Sequence, residues 1–511
     1  MKKQLFSLFA LVLLLGASAQ QATLTIESKP GAPTISKHIY GHFSEHLGHC
    51  VYGGLWVDED LNVPKEDRLR LDVVDALKKI KIPNLRWPGG CFADEYHWKE
   101  GIGPREDRPS MLNTHWGMLV EDNSFGTHEF LKLCELIGAE PYLAGNVGSG
   151  TVEELNDWIE YCNYEGETTL TKMRKANGQV EPWRVKYWGI GNESWGCGGN
   201  MTAEYFSGLY KQYATYARNY PDSPIRRIAS GANSADYSWT ETLMKNVPKW
   251  MMWGISVHYY TLPTGNWGHK GSATDFSEEE YFNTMKNCLF VNELLDKHIA
   301  IMDRYDPENR VALVLDEWGI WTDPEPNSSV LYQQNSLRDA LVAGTTLNSI
   351  NNRAERVRMA NLAQTVNVLQ ALILTDEEKM LLTPTYHVFD LYKVHQDAKL
   401  MPFVINSPEY KVGDKTLDAV NVSASQDENG VIHITLVNID AKNSIKVNTA
   451  VNNVKWSAVT GKILTSAKIT DVNTFDNPNH VVIGEFKGAK KSKGNLEVNL
   501  PAKSIVMLEL K

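Results

Sequence analysis

Cysteine is scarce in this chain: Cys50, Cys91, Cys134, Cys162, Cys197 and Cys288 are its six among 511 residues, and no two stand at a CxxC spacing. A chain of this length can fold without disulfides, so mostly free thiols are expected. No HExxH run occurs either. His42, His46 and His49 lie close together, but no carboxylate-supported ligand motif joins them, so neither a metal nor another cofactor is expected. Positive charge is also short: 51 Lys and Arg against 62 Asp and Glu leave a net charge of −11. That balance argues against nucleic acid or an anionic membrane surface as partner and suits a neutral one. Beyond the first residues, no stretch reaches the roughly 18 uninterrupted apolar residues of a membrane span.

The amino terminus has a pattern of its own. Lys2 and Lys3 precede an apolar run over residues 5–15, and Ala17-Ser18-Ala19 follows. These features predict a secretory signal peptide over residues 1–19, cleaved near Ala19, and therefore export to the periplasm or the exterior. No cysteine follows where a lipid anchor would attach. With 42% hydrophobic and 22% charged residues the composition is that of a globular protein, and the length predicts two domains. The 15 Trp and 21 Tyr are more than a core needs. Such rings serve as sugar platforms, although plain packing absorbs most of them.

Residues 22–27 alternate apolar and polar like a half-buried strand. Residues 20–37 are therefore assigned to a β domain completed by the C-terminus. From residue 38 to 400, strand-like and helix-like segments alternate. Residues 38–43, 83–87, 141–147, 185–193, 227–231, 255–260, 311–317 and 365–374 read as strands. Between them lie helical patterns such as Val73, Val74, Leu77 and Ile80. Eight such units predict an α/β fold, a (β/α)8 TIM barrel with its reacting face at the strand carboxyl ends. Residues 401–511 change to short alternating strands divided by Asn-Gly and Lys-Gly turns, which predicts a C-terminal antiparallel β-sandwich.

Two of the barrel strands deliver carboxylates. Gly189 and Gly191 break the fourth and leave Asn192-Glu193 at its end, while the apolar residues 311–315 lead into Asp316-Glu317. A pair of carboxylates flanking one bond is the equipment of glycoside hydrolysis: one protonates the leaving oxygen and the other acts at the anomeric carbon. Glu193 suits the donor and Glu317 the nucleophile. Strand alternation says that Asp316 and Glu317 cannot both point into the pocket. Pro88-Gly89-Gly90 ends another strand so sharply that the backbone at Cys91 can lie against a ligand. The long loop over residues 92–118, with Trp98, His115 and Trp116, has the length of a binding loop.

Five blocks occur in order: Gly41-His42-Phe43-Ser44-Glu45-His46, Asn84-Leu85-Arg86-Trp87-Pro88-Gly89-Gly90-Cys91, Gly189-Ile190-Gly191-Asn192-Glu193, Ser256-Val257-His258-Tyr259-Tyr260 and Leu315-Asp316-Glu317-Trp318. Together they resemble the α-L-arabinofuranosidases of glycoside hydrolase family 51. The resemblance implies a retaining, exo-acting enzyme that releases terminal α-L-arabinofuranosyl residues from arabinan, arabinoxylan or arabino-oligosaccharides, with Glu193 as acid and base and Glu317 as nucleophile. Glu45, Cys91, Asn192, His258 and Tyr260 are the candidate substrate contacts, Tyr260 being the one implied to touch the nucleophile. Arg86 and Trp98 are candidates for support. Residues 381–386 hold no glutamine where some family members place a sugar contact, which leaves the eighth loop open. The sequence also leaves open an endo-acting β-glucanase or xylanase on the same barrel, a non-catalytic carbohydrate-binding protein, and assembly into a homo-oligomer. A binder without catalysis would not need two carboxylates at strand ends.

Overall fold

A computed structural model describes residues 20–511 except 327 and 329, so the segment read as a signal peptide lies outside the described residues. Eight parallel strands close into a barrel: Gly41–Phe43, Asn84–Trp87, Glu140–Gly145, Tyr187–Ile190, Arg226–Asn233, Gly254–Thr261, Ala312–Ile320 and Val357–Ala363. They are numbered first to eighth below. The seventh is buried along its whole length, as a strand sandwiched between barrel interior and helices must be. Tyr142, Tyr187, Ile228, Ala312, Val314 and Met359 fill the barrel's interior, making it a packed core rather than a channel.

One strand differs from the sequence reading. The eighth runs over Val357–Ala363, whereas residues 373–376 and 379–382 form a small antiparallel hairpin outside the barrel. Arg358 and Asn361 interrupt the apolar pattern of the true strand, while the apolar run from Val368 to Leu374 imitated one. Asn361 is buried because its amide donates to Asp316 Oδ1 at 2.6 Å and its oxygen accepts from Asn84 Nδ2 at 2.6 Å. A polar side chain with both ends satisfied can lie inside a barrel.

Apart from small two-stranded hairpins, the remaining strands form a five-stranded and a six-stranded sheet. Gln20–Glu27 pairs antiparallel with Phe403–Asn406 and parallel with Ile445–Asn452 in a five-stranded sheet. A six-stranded sheet centres on Val420–Gln426, Ile432–Asn438 and Ser504–Leu510. Val459–Thr465 belongs to the six-stranded sheet and Asn495–Leu500 to the five-stranded one. The helix Leu337–Asn351 lies between barrel and sandwich with every residue buried. A Cβ at its Gly344 would come within 3.0 Å of Ile505 Cδ1 and 3.1 Å of the Tyr392 hydroxyl. Thr435 donates to Asn348 Oδ1 at 2.7 Å, and Tyr281 donates to the Ile439 carbonyl at 2.7 Å.

Candidate active site

The carboxyl ends of the fourth and seventh strands hold the two glutamates. Past Ile190 the chain turns through Gly191 at φ +78°, and Glu193 itself sits at φ +40°. A non-glycine residue in this region costs about 1–3 kcal/mol and persists only where its surroundings hold it. Asp94 is part of that hold. Its Oδ2 accepts the Asn192 amide at 2.9 Å, and its Oδ1 accepts Val147 N at 2.7 Å and Gly148 N at 2.9 Å. Burial pushes the Asp94 carboxyl up to about 7 despite these donors. Gly198 completes the turn, since a Cβ there would fall 1.8 Å from the Asn192 carbonyl.

Glu317 is reached through an irregularity. Val257 pairs with Leu315, but the next residue, His258, pairs with Glu317. The register skips Asp316, and the strict alternation that would have turned one carboxylate outward is broken. Asp316 and Glu317 both reach Arg86, whose Nε is 3.6 Å from Asp316 Oδ2 and whose Nη1 is 2.9 Å from Glu317 Oε1. Asp316 points into the barrel interior, where it accepts the Tyr142 hydroxyl at 2.8 Å. Only Glu317 lines the pocket.

Glu317 Oε2 also accepts the Tyr260 hydroxyl at 2.8 Å. Burial pushes its carboxyl up, but His258, Arg86 and the Tyr260 hydroxyl overcome that and bring it below its ordinary value. His258 Nδ1 lies 2.9 Å from Glu193 Oε1 and 3.5 Å from Glu317 Oε2. Burial disfavours a charged imidazole, yet the two carboxylates outweigh it and raise the His258 pKa above its ordinary value. An oxygen of each glutamate and a ring nitrogen of His258 lie within 4.8 Å of one another. The other guanidinium nitrogen of Arg86 donates to Asn192 Oδ1 at 2.5 Å. Arginine only donates, so the Asn192 oxygen faces it, and the amide NH2 on the other side lies 3.9 Å from Cys197 Sγ.

On the far side of the pocket Glu45 is fixed by three donors: Phe92 N at 3.1 Å, Trp116 Nε1 at 2.9 Å and Gln364 Nε2 at 3.1 Å. Burial, with a smaller push from Glu317, still raises its carboxyl to about 7. A Cβ at Gly90 would lie 3.0 Å from Glu317 Oε1 and 3.4 Å from Glu45 Oε1. Glycine there leaves the space between the two carboxylates open.

These groups surround a pocket of about 770 Å3 lined by Glu45, Cys91, Glu193, His258, Tyr260, Glu317 and Gln364, with Trp116, Trp195 and Trp321. Asn192 and Arg86 stand behind its wall. Trp98 does not reach it: the indole stacks on Trp158 at 6.1 Å and donates to the Glu154 carbonyl at 3.0 Å. Its supporting role is corrected to packing of the barrel's outer layer. Cys91 is not a free thiol, because it forms a disulfide with Cys197, 106 residues away. The expectation of mostly free thiols holds for Cys50, Cys134, Cys162 and Cys288, all buried. The histidines of the first loop diverge: His42 packs on Phe389, and His46 stacks on Phe92 and faces Glu121. The glutamine missed in the sequence is Gln364, directly after the true eighth strand. Placing that strand at residues 365–374 instead of Val357–Ala363 hid it.

Two family models match, the alpha-L-arabinofuranosidase 1 domain over residues 76–278 and the alpha-L-arabinofuranosidase C-terminal domain over residues 316–504. An intracellular exo-alpha-L-arabinofuranosidase from Bacteroides ovatus is 52% identical over 497 residues, 96% of either chain. This chain belongs to the α-L-arabinofuranosidases of glycoside hydrolase family 51. The crystal structure of the family 51 arabinofuranosidase from Xanthomonas axonopodis pv. citri superposes with a TM-score of 0.94 at 47% identity, covering 96% of this chain and 100% of that one. An arabinose complex of the Thermotoga maritima α-L-arabinofuranosidase gives a TM-score of 0.81 at 31% identity, covering 96% and 99%.

Family membership makes the chain a glycoside hydrolase with arabinose-containing carbohydrates as its substrate class. It also corrects the expectation of export. The Bacteroides ovatus arabinofuranosidase, similar over nearly the whole chain, is named as intracellular, so the charged and apolar start of the sequence does not establish secretion.

Proposed function

We propose that the chain is a retaining, exo-acting α-L-arabinofuranosidase in which Glu193 is the acid and base and Glu317 the nucleophile, acting on terminal arabinofuranosyl residues of arabinan, arabinoxylan or arabino-oligosaccharides. The observation that carries this reading is the approach of the two carboxylates, with oxygens within 4.8 Å of one another. Retaining enzymes hold their carboxyl groups about 5–5.5 Å apart, and inverting ones about 6.5–9.5 Å, to leave room for a water. The environments divide the roles. Glu317, with donors from Arg86 and Tyr260 and the positive edge of His258, stays ionised and can attack the anomeric carbon. Glu193 has no cationic arginine on it and is poised by His258 to give a proton to the leaving oxygen and later to take one from water. Glu45 and Gln364 hydrogen-bond hydroxyls of the arabinose, the Asn192 amide serves the 2-hydroxyl, and the Cys91–Cys197 bridge walls the site.

Exchange of side chains separates the two roles. Glu193→Ala should still form the glycosyl-enzyme from a substrate with a good leaving group and then stall, because deglycosylation lacks its base. Azide should restore turnover, giving an arabinofuranosyl azide of retained configuration. Glu317→Ala should lose the retaining route with every leaving group, and any azide product should be inverted. The reverse pattern would exchange the assignments.

A further inference from the structure

The sequence has no CxxC spacing, but the fold assembles a sulfur pair beside a catalytic carboxylate. Cys91 follows the Pro88-Gly89-Gly90 break after the second strand, Cys197 lies in the turn that follows Glu193, and the two are bridged. Cys197 Sγ is 3.6 Å from Glu193 Oε2. Both sulfurs and a Glu193 oxygen lie within 4.8 Å of one another, and Cys91 and Glu193 line the pocket. Joined to each other, the sulfurs are poor ligands, because it is the thiolate that holds a metal. Opened, they become two thiolates next to a carboxylate.

The two loops are also tied without the bridge. Asp94, on the same short turn as Cys91, accepts the Asn192 amide at 2.9 Å. The Glu193 carbonyl accepts the amides of Gly196 at 2.7 Å and Gly198 at 3.2 Å, which closes the turn around Cys197. These bonds keep the sulfurs neighbours when the S–S bond is cut. A second trio, Glu193, His258 and Glu317, is equally compact. It suits a cation less, since Arg86 Nη1 stands 2.9 Å from Glu317 Oε1 and adds a fixed positive charge. Zinc is borderline-soft, and two thiolates with one carboxylate give it three protein ligands and leave a fourth position open to the pocket. Magnesium and calcium prefer oxygen throughout.

We infer that reduction of the Cys91–Cys197 bridge creates a site for zinc or a similar thiophilic divalent cation, held by the two sulfurs and the Glu193 carboxylate, and that the bound ion stops the enzyme. A dithiol or a phosphine supplies the electron pair. The S–S bond breaks, each sulfur takes a proton, and the reductant leaves as its own disulfide or, with the oxygen of a water, as the phosphine oxide. Zinc then displaces both thiol protons. The loss of activity rests on the reading of Glu193 as acid and base, since a carboxylate held by a metal can neither give nor take the proton; the binding itself does not rest on it.

Cobalt is the probe, because Co2+ occupies tetrahedral zinc sites and its bonds to thiolate absorb in the near ultraviolet. The full chain is reduced with a phosphine, freed of it under nitrogen and mixed with Co2+. The reduced parent should show the thiolate band and the oxidised parent should not. A stoichiometric amount of zinc should bleach the band and abolish hydrolysis of 4-nitrophenyl α-L-arabinofuranoside by the reduced parent, and a chelator should restore it. The Cys91→Ser/Cys197→Ser variant keeps the four buried thiols and should show no band. Glu193→Ala keeps both sulfurs, and its cobalt affinity should fall by at least the factor of about 10–100 that the loss of a mere supporting group costs. No band in the reduced parent, an equal band in the double variant, or equal zinc inhibition of oxidised and reduced parent would overturn the site. A cobalt band with activity intact would support the site and overturn the role of Glu193 instead.

Discussion

Glu45 shows how a single residue carries a cost for its position. Three donors stabilise its charge, yet burial wins and its carboxyl sits at about 7 against an ordinary 4.5. Between those values the folded chain holds a proton that the unfolded chain has released, so stability falls as pH rises through the window. The loss is on the order of 3 kcal/mol when complete. In Glu45→Gln the group no longer titrates, and any lost hydrogen-bond energy is independent of pH. Urea unfolding of parent and variant at several pH values from 4 to 8 should therefore show the variant gaining relative to the parent with rising pH. Parallel curves would mean that Glu45 is ionised like a surface carboxylate. Much of this site was legible at residue scale, because Glu193, Glu317, His258 and Tyr260 stand at strand ends that glycines and apolar runs announce. Asp94 was not, since nothing in a loop sequence says that its carboxylate will collect three backbone amides from two other loops.

At the scale of elements, what was legible followed periodicity and what was missed broke it. The register skip at Asp316 brings two neighbouring carboxylates to one arginine, an outcome that a period of two excludes and a bulge permits. The eighth strand is hidden by Arg358 and Asn361, and with it went Gln364. The Cys91–Cys197 bridge joins the loops after the second and fourth strands, and a separation of 106 residues gives no pairing signal in sequence. Closing so long a loop stabilises by about 5 kcal/mol in the chain-entropy account, against a typical effect of about 2–4 kcal/mol. Thiol titration in denaturant without reductant should find four reactive thiols, and dithiothreitol should lower the Tm of the parent but not of the Cys91→Ser/Cys197→Ser double variant. Six thiols, or equal response of the two proteins to reductant, would remove the bridge from the account.

For the whole molecule, the barrel and the sandwich are joined more firmly than the change in sequence character at residue 401 suggests. The helix Leu337–Asn351 belongs to the barrel in sequence but is buried on every side, partly by sandwich strands, and the sandwich in turn contains the amino-terminal strand Gln20–Glu27. Removing the amino-terminal strand and residues 401–511 would bare that helix. The fragment 38–400 should be insoluble or should unfold without a cooperative transition, and the full chain should melt in one transition. A soluble, cooperatively folded and active fragment would show the sandwich to be an independent appendage.

The central claim is that the two carboxylates, close together across one pocket, act as acid and nucleophile through a covalent intermediate. Proton NMR of the first-formed sugar during hydrolysis of 4-nitrophenyl α-L-arabinofuranoside, recorded before mutarotation, tests it most directly. The account predicts that α-L-arabinofuranose appears first and the β anomer only later. First appearance of the β anomer would mean single displacement by water, and would contradict the assignment of Glu317 as nucleophile.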